Sequence, residues 1–140
     1  MTGAEVNNLC TAPVREPLAA PIGSLLGLTL IREGVGRTTI EFQADDRYAN
    51  PMGTLHGGIL CDRADAAMGM AYRCTLAEGE TFTTIELKIN CLRPVWKAKL
   101  RAEERMVHAG RTLGLVECNI LDEACRARIQ HIREASRPAR

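Results

Sequence analysis

The chain has 140 residues, of which 46% are hydrophobic and 25% are charged, close to the averages of a globular domain. This composition excludes a disordered, collagenous or low-complexity chain, and the length favours one domain. With a formal net charge of +1 and 4% aromatic residues, the chain offers neither attraction to a polyanion nor a platform for stacking bases, so we expect no nucleic-acid partner. No stretch reaches the roughly 18 apolar residues of a membrane span and the N-terminus lacks a signal-peptide pattern, so we expect no membrane partner.

The cysteines indicate a reducing compartment. None is spaced as C-x-x-C, and none lies near a histidine at metal-ligand spacing. Several occupy apolar runs, where a reduced cysteine behaves as a small hydrophobic residue. We therefore expect thiols, no bound metal and a cytoplasmic location. The six residues are Cys10, Cys61, Cys74, Cys91, Cys118 and Cys125.

The first part of the chain predicts a lead-in followed by a β-hairpin. Residues 1–21 contain prolines without a hydrophobic period, so we expect a loosely held lead-in before a single domain over residues 22–140. From Gly27 to Ala44 apolar residues alternate with polar ones around Glu33–Gly36, which predicts two paired strands. A loop follows from Tyr48 to Leu55.

A long helix is predicted from Gly57 to about Ala77. Its residues are apolar almost all round, which is typical of a buried helix. Glu78 and Gly79 follow, and glycine after a last helical turn can adopt the left-handed cap, so we expect the helix to stop there.

Strands resume after the helix and define the fold class. Alternation over residues 84–91 predicts a strand with Ile85, Leu87, Ile89 and Cys91 on one face and Thr84 with the polar residues on the other. Segments 100–107 and 112–121 predict a second hairpin. Residues 126–140 carry only a weak strand signal, and fraying or a short helix stays open. The order predicts an α+β fold, with one helix covered by a mostly antiparallel sheet.

Two glycines at the predicted helix start offer a place for a negative oxygen. Gly57 and Gly58 leave backbone amides uncovered, and the helix dipole adds partial positive charge there. Such fixed donors stabilise the oxyanion of an attacked carbonyl, and the Gly57 amide is our leading candidate. The alternative is that the glycines only permit a tight turn.

Asp65 stands out as a carboxylate within the apolar helix. A buried carboxylate is costly unless it is paired or functional. Asp65 is therefore a candidate catalytic group; the alternatives are a salt bridge with Arg63 or Arg73, or exposure at a helix edge. Asp62 lies three residues earlier and competes for the role.

The spacing of Gly57 and Asp65 has a consequence for assembly. They are eight residues apart, about 12 Å along a helix at about 1.5 Å per residue. One carbonyl cannot touch both, so joint action requires a second copy of the helix across a two-fold axis. We therefore expect a homodimer with two composite sites.

Three segments together resemble a known family. They are N-P-M-G-T-L-H-G-G at 50–58 with an aspartate nine positions after the histidine, T-T-I-E-L-K-I-N-C-L-R-P-V at 83–95, and H-A-G-R-T-L-G at 108–114. They resemble the hotdog-fold acyl-CoA thioesterases of the PaaI-like, phenylacetic-acid-degradation type, over about residues 22–124. The resemblance implies a hotdog fold, a homodimer that can pair into a homotetramer, and hydrolysis of an acyl- or aryl-CoA. Coenzyme A is then part of the substrate, and no cofactor is expected.

The resemblance also implies roles for individual residues. Asp65 would be the general base or nucleophile, and Gly57 with Asn50 would bind the thioester carbonyl. His56 would orient the loop or lie beside the departing sulfur. Thr84, with Thr83 as its substitute, would help to hold the attacking water. The CoA phosphates would contact Gly110, Arg111 and Thr112.

Each of these positions also has a plainer interpretation, and two other functions stay open. His56 can be a packed histidine, Asn50 a turn residue and Thr84 a strand former, while 108–112 can be an ordinary hairpin turn. A non-catalytic acyl-CoA-binding hotdog module is one alternative, although ligand binding alone does not need Asp65. A hotdog dehydratase or hydratase is the other. The acyl group, and the role of residues 125–140, which depart from the family pattern, are not determined.

Overall fold

The computed structural model describes residues 15–123 and 127–136, which form one sheet, two α-helices and a short 3-10 turn. The side chains at 32, 33 and 127–136 lie outside this description. The elements are β1 Arg15–Pro17, α1 Pro21–Leu26, β2 Thr29–Gly34, β3 Arg37–Ala44, the 3-10 turn Asp46–Tyr48, α2 Gly57–Arg73, β4 Thr83–Cys91, β5 Ala98–Ala109, β6 Leu113–Asp122 and β7 Ala127–Ser136.

All strand pairs of the sheet are antiparallel, in the order β1-β2-β3-β5-β6-β7-β4. The long helix α2 packs across β3, β5 and β6. This arrangement confirms the α+β prediction and is the one that the hotdog resemblance implies. Strand β4 lies at one edge of the sheet, so its outer side carries no neighbouring strand in the described chain.

Helix α2 buries one face against the sheet and leaves the other half-exposed. Alanines at every third or fourth position let the helix approach the sheet closely. The buried face consists of Leu60, Arg63, Ala64, Ala67, Met68, Ala71 and Tyr72. The prediction of a helix buried all round is therefore correct for this face only. Asp65 and Met70 lie on the half-exposed side.

The far end of the helix differs from the prediction. α2 ends at Arg73, with Cys74 as C-cap, instead of near Ala77. The Thr75 hydroxyl donates to the Tyr72 carbonyl over 2.8 Å and so uses one of the last helical acceptors. Gly79, predicted as the cap, has a φ of +78° in a separate turn, where Glu80 accepts from the Ala77 amide.

The ends of the chain also contain more structure than predicted. Residues 15–17 of the expected lead-in form β1 and pair with β2, and α1 begins at Pro21, where proline favours a first helical position. Residues 1–14 of that lead-in lie outside the described residues, and residues 18–20 connect β1 to α1. Residues 127–136, with a weak strand signal, form β7 between β6 and β4. Among the described residues no helix is long and apolar enough to span a membrane.

Candidate active site

Asp65 and Thr84 form a hydrogen-bonded pair between α2 and β4. The Thr84 hydroxyl donates to Asp65 Oδ1 over 3.2 Å, and both side chains are half-buried. Thr83, the substitute considered from the sequence, is exposed, as is Asp62, the competing carboxylate. The structure therefore brings the two residues with the leading sequence arguments together.

A β-bulge directs Thr84 toward the helix. The pairing of β4 with β7 shifts between Thr84 and Glu86, so Ile85 has no partner in the register. The extra residue reverses the alternation on one side of the bulge. Thr84 therefore shares a face with Leu87 and Ile89, and Ile85 is 56% exposed. The predicted placement of Thr84 on the polar face and of Ile85 on the apolar face is wrong for this reason.

The start of α2 presents an uncovered backbone amide. His56 is the N-cap, and its Nδ1 accepts from the Gly58 amide over 3.0 Å. The Ile59 amide donates to the His56 carbonyl. For the Gly57 amide, the described residues supply no acceptor. Because a helix N-terminus carries partial positive charge, this N–H can bind a negative oxygen.

A groove of about 280 Å³ opens beside Gly57. It is lined by Thr54, Leu55, Gly57, Leu60 and the segment from Cys91 to Val95. A Cβ on Gly57 would lie 3.9 Å from Cys91 Sγ. Cys61, one helical turn later, has its pKa raised by burial and by the nearby Cys91 and Asp62. Cys91 was not singled out from the sequence, because its approach to Gly57 is a tertiary contact.

The Asn50 side chain shapes the loop before the helix. Its Oδ1 accepts from the amides of Met52 and Thr54, and its Nδ2 donates to Thr54 Oγ1 over 2.8 Å. These bonds make Asn50 part of the turn that precedes the helix. Nδ2 carries a second hydrogen, so it can donate one more hydrogen bond in addition to the one to Thr54. The base of the loop closes where the His56 amide donates to the Tyr48 carbonyl.

Within one chain, the Gly57 amide and the Asp65 carboxylate lie too far apart to contact the same carbonyl group. Both lie on the side of α2 that faces β4: Gly57 lies near Cys91 and Asp65 bonds Thr84, at opposite ends of that strand. Their eight-residue separation corresponds to about 12 Å along the axis. A reacting carbonyl that touches both groups needs a second copy of the chain.

The turn proposed for CoA phosphates lies at the other end of the helix. Gly110 donates to the Leu113 carbonyl over 2.8 Å, and Arg111 and Thr112 are exposed. Next to this turn, a Cβ on Gly114 would lie 2.1 Å from the Tyr72 ring, so glycine is required there. Tyr72 is seven residues beyond Asp65, and the turn is not part of the Asp65 pair in a single chain.

Arg63 was considered from the sequence as a partner for Asp65, and the structure excludes this. It lies on the opposite face of α2, is 0% exposed and stacks against Tyr48 and Phe42. The sequence signal for this placement is its spacing with Leu60, Ala64 and Ala67 on the buried face.

A buried carboxylate that the sequence did not reveal lies under the helix. Glu104 is 5% exposed and accepts from Thr38 Oγ1 over 2.5 Å. The Cys118 thiol approaches it at 3.8 Å, and burial together with Glu104 raises the pKa of Cys118 well above its usual value. Thr38 Oγ1 also lies 3.3 Å from the Ala67 carbonyl oxygen, so this cluster connects the sheet to α2 within the core.

The chain matches a thioesterase family model and relatives that are named thioesterases. Residues 52–132 match the model of the thioesterase superfamily. The chain is 34% identical over 98 residues to the proofreading thioesterase EntH of Klebsiella pneumoniae, covering 70% of this chain and 72% of that protein. It is 26% identical over 101 residues to human acyl-coenzyme A thioesterase 13, covering 69% of each.

Solved structures show the same fold. A thioesterase from Haemophilus influenzae superposes with a TM-score of 0.80 at 25% identity, over 99% of this chain and 91% of that one. The PaaI protein of E. coli superposes with a TM-score of 0.78 at 21% identity, over 86% of each chain. At this identity, the similarity to the PaaI protein concerns the fold alone.

Proposed function

The chain belongs to the thioesterase superfamily, and from this premise we propose that it hydrolyses the thioester of an acyl- or aryl-coenzyme A to the free acid and coenzyme A. The observation that carries the proposal is the Asp65 carboxylate, held by the Thr84 hydroxyl on the side of α2 that faces the sheet edge. A half-buried carboxylate held by a hydroxyl in this way has a direct use in activating water.

The proposed reaction begins at the carbonyl carbon. Asp65 accepts a proton from water while the water oxygen attacks, and Thr84 holds the carboxylate and the water in place. In the nucleophilic alternative, a carboxylate oxygen attacks first and water then hydrolyses the anhydride. In both routes the carbon–sulfur bond breaks and coenzyme A leaves as a thiolate, which needs little protonation. No metal or redox cofactor takes part.

The developing oxyanion is proposed to bind at the start of α2. The Gly57 amide has no acceptor among the described residues, and the helix dipole favours negative charge there. The second hydrogen of Asn50 Nδ2 supplies a further donor. His56, whose Nδ1 accepts from Gly58, orients this loop by capping the helix.

We propose a homodimer as the smallest active unit. Cys91 and Thr84 lie at opposite ends of the edge strand β4, and they mark the positions of Gly57 and Asp65. Two β4 strands that pair antiparallel across a two-fold axis bring the Gly57 end of one subunit to the Asp65 end of the other. Ile85, Leu92 and Trp96, each more than half exposed in the single chain, would be covered in part.

The remaining assignments concern the nucleotide and the compartment. The exposed turn Gly110–Thr112 offers amides, a hydroxyl and a guanidinium, which suit the CoA phosphates. Cys61, Cys74, Cys91 and Cys118 form no disulfide bond within the described residues, and we propose a cytoplasmic location on that ground.

A mixing experiment tests the composite site. Asp65→Asn removes the base, and Gly57→Pro removes one amide hydrogen at the first helical position, where proline is favoured. The extended backbone of His56, with φ −64° and ψ 129°, tolerates a following proline. Each variant alone should release little thiol from a panel of acyl- and aryl-CoA esters.

Random exchange of the two variant subunits should restore activity. Half of the dimers are then mixed, and each mixed dimer contains one intact site, so about a quarter of the native turnover should return. A site built within one chain predicts no recovery, which would refute the shared site. If the native protein binds these esters and cleaves none, the thioesterase proposal fails and a binding module takes its place.

A further inference from the structure

Arg63 is an arginine enclosed in the core. It is 0% exposed, and its guanidinium Cζ lies 4.7 Å from the Tyr48 ring centroid and 5.3 Å from that of Phe42. Nη2 donates to the Leu26 carbonyl over 3.4 Å. Nε and Nη1 are buried without a hydrogen-bond partner among the described residues. The side chain is thus held by two aromatic rings, one long hydrogen bond and the attraction of the Asp45 carboxylate, which is not in direct contact with it.

Folding stability does not account for an arginine at this position. A guanidinium that leaves water loses its hydration, and stacking on aromatic rings returns part of that free energy. Buried charges without an ion pair generally destabilise, and apolar side chains of similar volume are often more stable in their place. A residue that breaks the rules of core packing points to a functional purpose.

Contacts connect Arg63 with the Gly57 amide. The Tyr48 ring stacks on Arg63, and the Tyr48 carbonyl accepts from the His56 amide over 2.9 Å. The His56 ring caps the helix through Gly58. Tyr48 and His56 therefore close the base of the loop that carries Asn50, and Arg63 fixes that base to α2 about one and a half turns beyond its start.

We propose that Arg63 is a positioning residue for the reaction. By holding Tyr48 against α2 it fixes the direction of the Gly57 amide, at a cost in folding stability. The inference rests on the proposed function, since the direction of this amide matters for turnover only when a thioester carbonyl binds there. Fixed donors lose much of their effect on the transition state when they are misplaced by about 1 Å.

Arg47 provides a matched control on the same ring. Its Cζ lies 5.2 Å from the Tyr48 centroid. Its side chain is 73% exposed and paired with Asp45 at 2.7 Å. Water screens this contact, and water also takes its place when the side chain is removed, so Arg47 should hold Tyr48 far less firmly than Arg63.

The test compares Arg63→Met with Arg47→Met in the full chain. Arg63→Met keeps an unbranched apolar chain out to the position of Nε and removes the rest of the guanidinium. We expect kcat to fall about tenfold or more while KM changes less than about twofold. Its melting temperature should be unchanged or higher. Amide hydrogen exchange should accelerate at residues 48–58 and stay unchanged in β5 and β6. Arg47→Met should leave kcat, KM and the exchange rates close to native, with at most a small fall in melting temperature from the loss of its ion pair with Asp45.

A structural role for Arg63 predicts a different result. A lower melting temperature with faster exchange throughout, or failure of Arg63→Met to fold, would overturn the proposal, as would an unchanged kcat. Tyr48→Leu removes the other partner of the same contact, and it should reproduce the loss in kcat. The double variant of Arg63 and Tyr48 should lose no more kcat than either single variant.

Failure of the proposed function can be told apart from failure of this inference. If the native protein cleaves no thioester, the proposed function is wrong. Exchange at residues 48–58 then still decides whether Arg63 holds the loop, because that measurement does not depend on turnover. Native-like exchange in Arg63→Met would refute the positioning role whatever the activity of the chain.

Discussion

The Thr84 hydroxyl reaches the Asp65 carboxylate at 3.2 Å because β4 contains one residue more than its partner strand between Thr84 and Glu86. Bulges are common beside active sites, where they turn a side chain to the other face of a sheet. Here the bulge moves a hydroxyl to the helix side and Ile85 to the outer side. The Asp65–Thr84 hydrogen bond therefore depends on the register of β4 as well as on the identity of the two residues.

Replacing Asp65 should abolish most of the activity. Asp65→Asn keeps the shape of the side chain and removes the base or nucleophile, so we expect turnover of a cleaved ester to fall about a hundredfold or more. The measurement is thiol release by dimers of native stability. Asp62→Asn, an exposed carboxylate on the same helix, should stay within about twofold. Equal losses in both variants would contradict the assignment.

Removing the Thr84 hydroxyl should weaken catalysis without unfolding the protein. Thr84→Val has nearly the same shape, and a hydrogen bond to a charged group is worth about 1.5 to 3 kcal/mol, so kcat should fall about tenfold or more. The exposed neighbour supplies the control, because Thr83→Val changes the same strand without touching Asp65. A larger effect at Thr83 would show that the bulge does not direct Thr84 as described.

Substitutions of His56 separate capping from chemistry. His56→Ala removes the bond to the Gly58 amide and should cost about 1 kcal/mol of folding free energy, seen as a lower melting temperature. Asparagine is a preferred N-cap, so His56→Asn should restore most of the stability. If capping is the main role of His56, His56→Asn should also restore most of the turnover. Restored stability with turnover still at the alanine level would assign the imidazole to the reaction.

Acid should disrupt the pair at the start of the 3-10 turn. The hydrogen bonds from Arg47 lower the pKa of Asp45 to about 2 from 3.8. Because the folded value is the lower one, the pair favours folding above pH 4, and this contribution is lost as the pH falls through about 2. Carboxyl NMR should show Asp45 titrating near pH 2. In Arg47→Met the titration should return toward the ordinary value, and an unshifted midpoint in native protein would contradict the pairing.

A thiol reagent should block the groove beside the helix start. In the single chain Cys91 is exposed in that groove, at the last residue of β4, whereas burial raises the pKa of Cys61 and so lowers its thiolate fraction. Iodoacetamide should therefore modify Cys91 before Cys61, as read from peptide masses, and turnover should fall in proportion to the Cys91 adduct. Coenzyme A should slow the loss. The same reagent should not reduce the turnover of Cys91→Ser relative to its untreated rate; inhibition there would implicate another cysteine.

The order and type of the elements could be predicted from local patterns. The alternation around Ile40 and Phe42 and the apolar period from Leu60 to Ala71 correspond to β3 and α2, because the period of apolar residues follows directly from strand and helix geometry. The end of the helix could not be predicted, since Thr75 and Gly79 both carry stop signals, and only the structure shows that the Thr75 hydroxyl bonds the last turn of the helix. β1 was missed because three residues show no period.

The sequence by itself determined the chemistry available to this protein: an aspartate in an apolar helix, glycines at its start and a spacing of about 12 Å that one chain cannot close. These conclusions need only residue identity and the rise of a helix. The tertiary structure alone decided that Thr84 faces Asp65, that Cys91 lies beside Gly57 and that Arg63 is buried against Tyr48. Each depends on strand register or on packing between elements far apart in the chain, and a one-residue shift in register reverses the direction of a side chain without any local signal.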